Sequence, residues 1–301
     1  MSARKLYLVD ASIYVFRAWH SMPNEFTDSE GWPTNAVQGF LRFLLDVVEY
    51  EKPQNIAIAF DEALDRCFRN EIYPLYKANR EPAPEDLLRQ FAYCRGLCEA
   101  MGLKVLSDHR YEADDLIGSA LHTMRDHGYK GVIVSADKDL SQLLAADDVQ
   151  WDFARNQRWG LDGVRDKHGV HAHQVADYLA LSGDAVDNIP GIPGIGAKTA
   201  AQLLNHFASL DELLDRIDEV PFLTMRGAKS VAAKLHEHGH LARLYRQLTV
   251  IALDAPLGDT SHHFVRHSPD AEALSELAYQ LKLGPITRRR LANVAGVELQ
   301  N

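Results

Sequence analysis

The stretch Lys5-Leu6-Tyr7-Leu8-Val9-Asp10 decides the fold prediction. It is a short apolar run that ends in an acid, and such runs are typical of buried β-strands. Three further segments share this composition: Asn55–Asp61, Leu103–Leu106 and Gly131–Asp137. Helical patterns lie between them at Ala36–Glu49, Glu85–Met101 and Ala113–His127. Because strands that alternate with helices form parallel sheets, we predict an α/β fold, a mostly parallel sheet flanked by helices.

The second half of the chain has a different pattern. Strand signals fade after about residue 165, and helical patterns follow at His171–Ser182, Ala197–His206, Leu210–Ile217, Ala228–Leu235 and His240–Leu248. We therefore predict two domains, an α/β core at residues 1–165 and a helical region at residues 166–301.

The composition indicates an ordinary globular protein. Its 301 residues are 46% hydrophobic and 25% charged, which is enough apolar material for a buried core. The three cysteines are too few for a disulfide framework and indicate a reducing compartment. The longest apolar run near the start, Leu6–Val9, is too short for a signal peptide or a membrane span. We expect a cytoplasmic protein without a membrane partner.

Aspartates end three of the predicted strands, as Asp10, Asp61 and Asp137. In open α/β sheets ligands bind at the carboxyl ends of the strands, so these side chains are candidates for a site. Six more acids lie near strand ends or helix starts: Glu112, Asp114, Asp115, Asp139, Asp184 and Asp187. Helix capping explains one or two of the three acids between Glu112 and Asp115, but not all of them.

Nine carboxylates in one place would repel one another strongly unless cations lay among them. No Cys or His at ligand spacing accompanies them, and oxygen ligands suit hard ions, so we predict Mg²⁺ or Mn²⁺ rather than zinc. Two such ions could activate a water and stabilise the leaving oxygen of a phosphodiester. These acids also account for nine of the ten excess negative charges of a chain whose net charge of −10 is otherwise unusual for a nucleic-acid binder.

Glycines punctuate the stretch Gly191–Thr199, which leads into a predicted helix. A P-loop would need its lysine directly after the last glycine, and Ala197 intervenes here. A helix–hairpin–helix fits better, because glycines let the backbone approach a DNA phosphate. The expected DNA contacts are Gly191, Gly194, Gly196, Lys198 and Thr199. Just upstream, Asp184 and Asp187 are three residues apart and are expected to share one helical face.

Cations and aromatic rings are interleaved downstream of Asp61. They are Arg66, Arg69, Lys77 and Arg80, with Phe68, Tyr73 and Tyr76 between them. Cations bind phosphates and rings stack on bases, as the binding of single strands requires. A solvated helix face is the alternative, and the nearby Asp61 favours the functional interpretation.

Five motifs occur in order along the chain: Val9–Ser12, Tyr76–Arg80, Glu112–Asp115, Asp137–Leu140 and Gly183–Gly191. Together they resemble the 5′-3′ exonucleases and flap endonucleases, and especially the N-terminal 5′-nuclease domain of bacterial DNA polymerase I. The resemblance runs from about residue 4 to about residue 250. It implies a PIN-like core with a helical arch at about residues 68–101, and a helix–three-turn–helix region with its hairpin at about residues 183–206. No polymerase follows, so we expect a stand-alone member.

The resemblance also implies a hydrolase that cleaves DNA near 5′ ends, 5′ flaps and single-strand/duplex junctions, in replication or repair. The first divalent ion would be held by Asp10, Asp61, Glu112, Asp114, Asp115 and Asp137. The second would be held or positioned by Asp139, Asp184 and Asp187. Lys77 would stabilise the charge that develops on the scissile phosphate, and Arg80 would steer that phosphate. Tyr76 would stack on a base, Arg69 would contact DNA, and in the family the hairpin carbonyls can bind K⁺.

Two departures from the family pattern concern the arch and the substrate preference. Glu81 stands where a proline is usual, and Arg110-Tyr111 precedes Glu112 where a glycine is common. The balance between exonuclease and flap endonuclease action stays open. The alternatives are a non-catalytic binder of DNA junctions, which the complete acid set disfavours, and a PIN-type ribonuclease, which the hairpin disfavours. DNA is the expected partner, and a DNA polymerase acting separately is the candidate protein partner.

Overall fold

The structure is a computed structural model that describes residues 4–61, 67–260 and 262–300. Its strands are β1 (Arg4–Asp10), β2 (Asn55–Ala59), β3 (Lys104–Leu106), β4 (Tyr129–Val134), β5 (Val149–Asp152) and β6 (Gln157–Trp159). Its α-helices are α1 (Ala11–Ser21), α2 (Asn35–Glu51), α3 (Phe68–Ile72), α4 (Glu85–Ala100), α5 (Ala113–Arg125), α6 (Leu161–His168), α7 (Val175–Ser182), α8 (Ala197–His206), α9 (Leu210–Asp215), α10 (Ala228–Thr249), α11 (Ala271–Gln280) and α12 (Pro285–Ala295). Shorter 3₁₀ helices cover Asp139–Leu143, Ala172–Gln174 and Ile217–Phe222.

The chain divides into two compact units. The first unit consists of residues 1–64, 82–136 and 253–301, and the second consists of residues 65–81 and 137–252. Each unit is therefore built from separate stretches of sequence. The predicted domains at residues 1–165 and 166–301 stay a prediction.

Parallel strands form the centre of the first unit, in the order β3-β2-β1-β4. Asp10 at the end of β1 lies opposite Ala59 of β2, and Val9 lies opposite Val134 of β4. Every residue of β2 is buried, as are the last five residues of β1, because such strands are covered on both faces. The carboxyl ends of these strands consequently meet at one edge of the sheet.

A buried amide fixes one of the helices of the first unit. Gln90 of α4 is fully buried, and its Oε1 accepts hydrogen bonds from the backbone N–H groups of Ala36 (2.7 Å) and Val37 (3.2 Å). Those two groups begin α2 and have no partner inside the helix, so Gln90 supplies the cap that α2 lacks. The C-terminal stretch joins the same unit, since the N–H of Ile56 in β2 donates to the carbonyl of Phe264.

Helices dominate the second unit, with β5 and β6 as an antiparallel hairpin. The helix pair α7 and α8 packs together, and α10 packs on α7. Gln174 is buried and donates from Nε2 to the carbonyls of Leu204 (2.6 Å) and Phe207 (3.4 Å), which satisfies groups at the end of α8. Within the described parts of the chain, no helix combines the length and the apolar character needed to cross a membrane.

The α/β class, with a mostly parallel sheet flanked by helices, is confirmed. The four predicted strands and the long helices are present with small shifts of their ends. One helix, α10, joins the two predicted helical segments Ala228–Leu235 and His240–Leu248. The elements that were not predicted are the helices α1, α3, α6, α11 and α12 and the strands β5 and β6. Both strands have only three or four residues, which is too short for a periodic pattern to be distinctive.

Candidate metal centre and nucleic-acid interface

Asp10 is held rigidly at the carboxyl edge of the first unit. It ends β1 and caps α1, with Oδ1 accepting from the N–H of Ile13 at 3.4 Å. Its Oδ2 accepts from the hydroxyl of Ser135, which follows β4, at 2.8 Å. The side chain is 5% exposed. Ser135 was not among the predicted residues, although its position between a strand and Asp137 is visible in the sequence.

Asp61 links the end of β2 to the start of α5. Its Oδ1 accepts from the N–H of Ala113 at 2.7 Å, and its own N–H donates to Ser12 Oγ at 2.9 Å. Ser12 belongs to α1 and lies two residues after Asp10 in the chain. The structure therefore brings Asp61 to the helix start that carries the next three acids.

The N-terminus of α5 carries Glu112, Asp114 and Asp115. Glu112 is the N-cap, and its N–H donates to Asp115 Oδ2 at 3.1 Å in a capping box. Asp115 is fully buried, whereas Asp114 is half-buried in the first turn. Capping accounts for Glu112 and Asp115, and the helix dipole stabilises all three charges. The first unit thus gathers five of the nine predicted acids at one edge of its sheet.

The other four acids, Asp137, Asp139, Asp184 and Asp187, belong to the second unit. Asp139 Oδ1 is buried and has no hydrogen-bond partner within the described parts of the chain. Burial raises the pKa of Asp139 well above its ordinary value, and the charges of Asp137, Asp184 and Asp187 raise it further. Burial also raises the pKa of Asp137, although Asp137 accepts from the N–H of Asp139 at 3.0 Å. These four carboxylates repel one another in a place that water reaches poorly.

Side-chain cations partly neutralise the acids of the second unit. Lys138 Nζ lies 2.8 Å from Asp184 Oδ2. Burial alone would lower the pKa of Lys138, but the bond to Asp184 raises it above its ordinary value. Arg80 Nη2 lies 2.8 Å from Asp187 Oδ1, and Lys77 Nζ lies 3.7 Å from the same oxygen. The two predicted catalytic cations therefore converge on one carboxylate.

The segment 73–80 is joined to the loop that carries Asp184 and Asp187. The N–H of Lys77 donates to the carbonyl of Asp187 at 3.0 Å, and Asn188 Nδ2 donates to the carbonyl of Leu75 at 2.6 Å. Asn79 Nδ2 donates to the carbonyl of Ala185 at 3.0 Å. Lys77 has a φ of +54°, a left-handed conformation that costs energy for a residue other than glycine. These bonds hold Lys77 in that conformation beside the acids.

The prediction that Asp184 and Asp187 share a helical face was wrong. Helix α7 ends at Ser182, and Gly183 takes a φ of +79°, so the chain leaves the helix before Asp184. Asp184 and Ile189 instead exchange two backbone hydrogen bonds of 2.8 Å, which close a tight loop. Both acids still lie close to Asp139, because the negative charge of each raises the pKa of Asp139.

The glycine hairpin connects α7 to α8. Ile192 and Ile195 are buried and anchor it, while Gly194, Gly196 and Lys198 are exposed and Thr199 is half-buried. Gly191 is buried with a φ of +68°, and a Cβ there would collide with the backbone of Gly183. Gly191 is thus a structural glycine, and only the later part of the hairpin is available to a ligand.

Two predicted DNA contacts, Arg69 and Tyr76, need correction. Each is 3% exposed and therefore lies inside the second unit. Arg69 donates to the carbonyls of Leu248 (2.8 Å) and Val250 (2.9 Å). The hydroxyl of Tyr76 donates to Asp187 Oδ2 at 3.1 Å. Their bonds give both residues a structural role, which alternating cations and rings could not distinguish from DNA binding. Arg66, from the same basic segment, lies outside the described residues.

Lys234 of α10 is a candidate contact that the sequence interpretation missed. A Cβ added to Gly194 would collide with Lys234 Nζ, so this ammonium group lies directly against the exposed hairpin. Among the residues that the structure describes, no carboxylate pairs with Lys234. Gly196–Thr199 and Gly227–Ser230 have nearly the same sequence and begin α8 and α10, but this similarity points to Lys229 and gave no signal for Lys234.

The donor set fits a hard divalent cation. The nine acids offer only oxygen ligands, and the buried, unpartnered Asp139 Oδ1 is the kind of atom that a cation would satisfy. In the described part of the chain, no three His, Cys, Asp or Glu side chains already stand in a metal-binding arrangement. In the observed arrangement Asp187 is paired with Lys77 and Arg80, and Asp184 is paired with Lys138.

Two family models cover most of the chain. The model described as "5′-3′ exonuclease, N-terminal resolvase-like domain" matches residues 5–169, and "5′-3′ exonuclease, C-terminal SAM fold" matches residues 170–272. A 5′-3′ exonuclease from Buchnera aphidicola is 33% identical over 91% of this chain and 95% of its own length. DNA polymerase I of Pseudomonas aeruginosa is 39% identical over 94% of this chain, but the match covers only 31% of the polymerase.

Solved structures show the same fold at low sequence identity. T5 5′-exonuclease with bound zinc has a TM-score of 0.69 at 18% identity, covering 98% of this chain and 99% of that chain. The catalytic core of Rad2 in complex with a DNA substrate has a TM-score of 0.60 at 16% identity, covering 97% of this chain and 92% of that chain. This chain spans about a third of the length of the DNA polymerase I relatives that it matches. With matching models from residue 5 to residue 272, the chain belongs to the 5′-3′ exonuclease family.

Proposed function

We propose that this protein is a divalent-metal-dependent nuclease that hydrolyses DNA phosphodiesters near 5′ ends and single-strand/duplex junctions. Its family and the 5′-3′ exonuclease of Buchnera aphidicola support this function. The observation that carries the proposal is Asp139, a buried carboxylate without a partner for Oδ1 and surrounded by three more acids. Such a group is tolerable in a working protein when a cation binds there.

The metal ligands are the nine predicted acids. Those assigned to the first ion are Asp10, Asp61, Glu112, Asp114, Asp115 and Asp137, and those assigned to the second are Asp139, Asp184 and Asp187. Mg²⁺ or Mn²⁺ bound there would lower the pKa of a water and stabilise the leaving oxygen of the phosphodiester. The T5 5′-exonuclease structures with bound metal ions support divalent-metal dependence.

Lys77 and Arg80 act on the phosphate. Both hold Asp187 in the structure, where Lys77 is fixed by a backbone bond from its own N–H. A cation fixed in advance beside the reacting phosphate stabilises negative charge as it develops, without having to reorganise. Lys77 is therefore the candidate for transition-state stabilisation, and the more exposed Arg80 is the candidate for steering the phosphate.

The hairpin holds the duplex. Gly196 leaves room for a phosphate at the exposed backbone, and Lys198, Thr199 and Lys234, which lies against Gly194, supply a hydroxyl and two ammonium groups. Hairpin carbonyls are also the proposed site of a K⁺ ion. The Rad2 core in complex with its DNA substrate supports DNA as the ligand. We place this activity in the cytoplasm, in replication or repair, with a DNA polymerase acting separately as the candidate partner.

One gel assay tests the function. The substrates are a 5′-flapped duplex, a blunt duplex and a flap with an RNA strand, each with Mg²⁺ and with EDTA. We expect cutting of the DNA flap in Mg²⁺ only, and its loss in Asp114→Asn. Cutting that persists in EDTA would overturn the metal mechanism, cutting of RNA alone would overturn the substrate, and tight binding without cutting would indicate the junction binder.

A further inference from the structure

A large groove lies at the amino ends of the strands of the first unit, at the opposite edge of the sheet from the acids. Its volume is about 1010 Å³. The starts of β1 and β4, residues 51–55, residues 265–269 and the end of α12 line it. Ligand sites typically have volumes of about 300–1,000 Å³, so the groove is large enough for a small molecule. Nothing in the proposed nuclease function uses it.

Positive charge dominates this groove in a protein whose overall charge is negative. Arg4, Lys5, Lys52 and Arg266 line it, together with one carboxylate, that of Glu51. The hydroxyl of Tyr7 donates to Glu51, so that acid is engaged elsewhere than with the four cations. Four permanent cations facing one acid leave a strong positive excess.

None of these four cations has a carboxylate partner among the residues that the structure describes. Arg4 lies over the ring of Tyr129, 5.8 Å from its centroid. By contrast, Arg290 of the same unit binds Asp46 and Glu49, each at 2.6 Å. The groove thus gathers four cations without a carboxylate partner, whereas Arg290 is neutralised by two acids.

Arg266 makes the strongest case for a ligand. It is half-buried, and its Nη2 donates to the carbonyl of Val294 at 2.9 Å, which satisfies one of five N–H groups. Burial lowers the pKa of Arg266 below its ordinary value, and no anion among the residues that the structure describes opposes that effect. A guanidinium that has lost part of its hydration without gaining a counter-charge is stabilised by any anion that enters the groove.

We propose that this groove binds a phosphate-bearing anion, with Arg4, Lys5, Lys52 and Arg266 as its ligands. Two guanidinium groups bind phosphate oxygens in pairs, and two ammonium groups add charge without a fixed geometry. The charge excess matches the several negative charges of a nucleoside diphosphate or triphosphate. A single carboxylate would leave most of the volume and most of the charge unused.

Calorimetric titration with inorganic triphosphate and with ATP, in EDTA, tests the proposal. The variant Lys5→Glu/Lys52→Glu reverses two exposed charges in the groove. Its matched control is Arg42→Glu/Lys282→Glu, which reverses two exposed charges elsewhere in the first unit. Lys52 and Lys282 have the same backbone conformation, with φ of +48° and +47°, so both doubles place Glu in the same strained position. We expect at least tenfold weaker binding in the groove variant and unchanged binding in the control.

Two further probes identify the source of the phosphate. If a ten-nucleotide DNA strand alone shows the loss in the groove variant, the phosphates of a nucleic-acid strand are the ligand. The proposal is overturned if no phosphate probe binds, if both double variants weaken binding equally, or if a glutamate-rich decapeptide alone shows the selective loss.

Discussion

The metal-free protein does not stabilise a negative charge on Asp139. Its Oδ1 has no hydrogen-bond partner among the described residues, and burial, together with the charges of three other carboxylates, raises its pKa. A residue in this position makes the folded protein less stable in return for a function. The loss of stability caused by this one side chain can be measured as a change in melting temperature, separately from activity.

We predict that Asp139→Asn raises the melting temperature in EDTA and abolishes cutting in Mg²⁺. Removing about 1 kcal/mol of repulsion corresponds to roughly 2–4 °C in a protein of this size. Asp184→Asn is the control, because it removes the ion pair with Lys138 and should not raise the melting temperature. A lower melting temperature in Asp139→Asn would show that its charge is stabilised in some other way.

Lys77→Ala should reduce turnover much more than DNA binding. A fixed cation is most effective when charge develops on the phosphate, so we expect a loss of about 10²–10³ in turnover. Single-turnover cutting and filter binding in Ca²⁺ give the two values. Lys77→Arg keeps the charge and should restore part of the rate, whereas equal losses of binding and turnover in Lys77→Ala would contradict this role.

His168 makes the stability of the second unit depend on pH. Burial lowers its pKa below the ordinary value of 6.5, and the charges of Lys138 and Lys167 lower it further. Below about pH 6.5 the unfolded chain binds the proton more readily than the folded one, so stability is present above that pH and is lost as the pH falls. We predict that urea unfolding at pH 7.5 and 5.5 shows a smaller difference in His168→Gln than in the wild type. Identical differences would exclude His168 as a source.

Residue types gave the acids of the site but not the groups that neutralise them. Asp10, Asp61 and the acids of α5 were predictable because strand ends and helix starts are visible in the pattern. The roles of Arg69 and Tyr76 were not predictable, since only the fold shows that both are buried. The contact of Lys234 with Gly194 was not predictable either, because Lys234 belongs to α10, which begins more than thirty residues after Gly194.

At the scale of elements, the hairpin between α7 and α8 contains glycines with two different roles. Gly191 has a φ of +68° and contacts Gly183, whereas Gly196 has a negative φ and open space around its Cα. Glycines between two helical patterns are the sequence signal on which the hairpin was predicted. It gave no indication of which glycine shapes the loop and which faces a ligand.

Gly191→Ala should destabilise the protein, and Gly196→Ala should not. A left-handed alanine costs about 1–3 kcal/mol, and the collision with Gly183 adds to that cost. Gly196→Ala should keep its melting temperature but bind duplex DNA more weakly, because its methyl group occupies the approach of a phosphate. Thermal melting and duplex binding of both variants check this prediction. It fails if Gly196→Ala melts as early as Gly191→Ala.

At the scale of the whole molecule, the first unit depends on the last part of the chain. Helix α11 packs on α4 and α12 packs on α2, with Leu274 and Leu291 fully buried. The sequence did not predict this arrangement, because helical periodicity shows that a face is buried but not which distant element covers it. The parallel strand pattern, by contrast, is a local signal and was predicted.

Deleting residues 271–301 should unfold the first unit preferentially. Each buried leucine contributes about 1.5–3 kcal/mol, so the loss exceeds what a marginally stable unit tolerates. Hydrogen exchange should then accelerate in β1 and β2 more than in α8. Arg290→Ala is the control, since its partly exposed ion pairs with Asp46 and Glu49 are worth at most about 1 kcal/mol. Equal acceleration in both units would contradict this prediction.

The first unit is built from three separate stretches of sequence, and this affects when it can fold during synthesis. Residues up to Asp61 supply two of the central strands, yet α11 and α12 come from the last tenth of the chain. While the ribosome is still translating, α2 and α4 lack the helices that pack on them in the folded protein, α12 and α11. The nascent enzyme can complete the half that carries Asp10 only once α12 has emerged, so chains that stop early cannot assemble that half of the proposed catalytic centre.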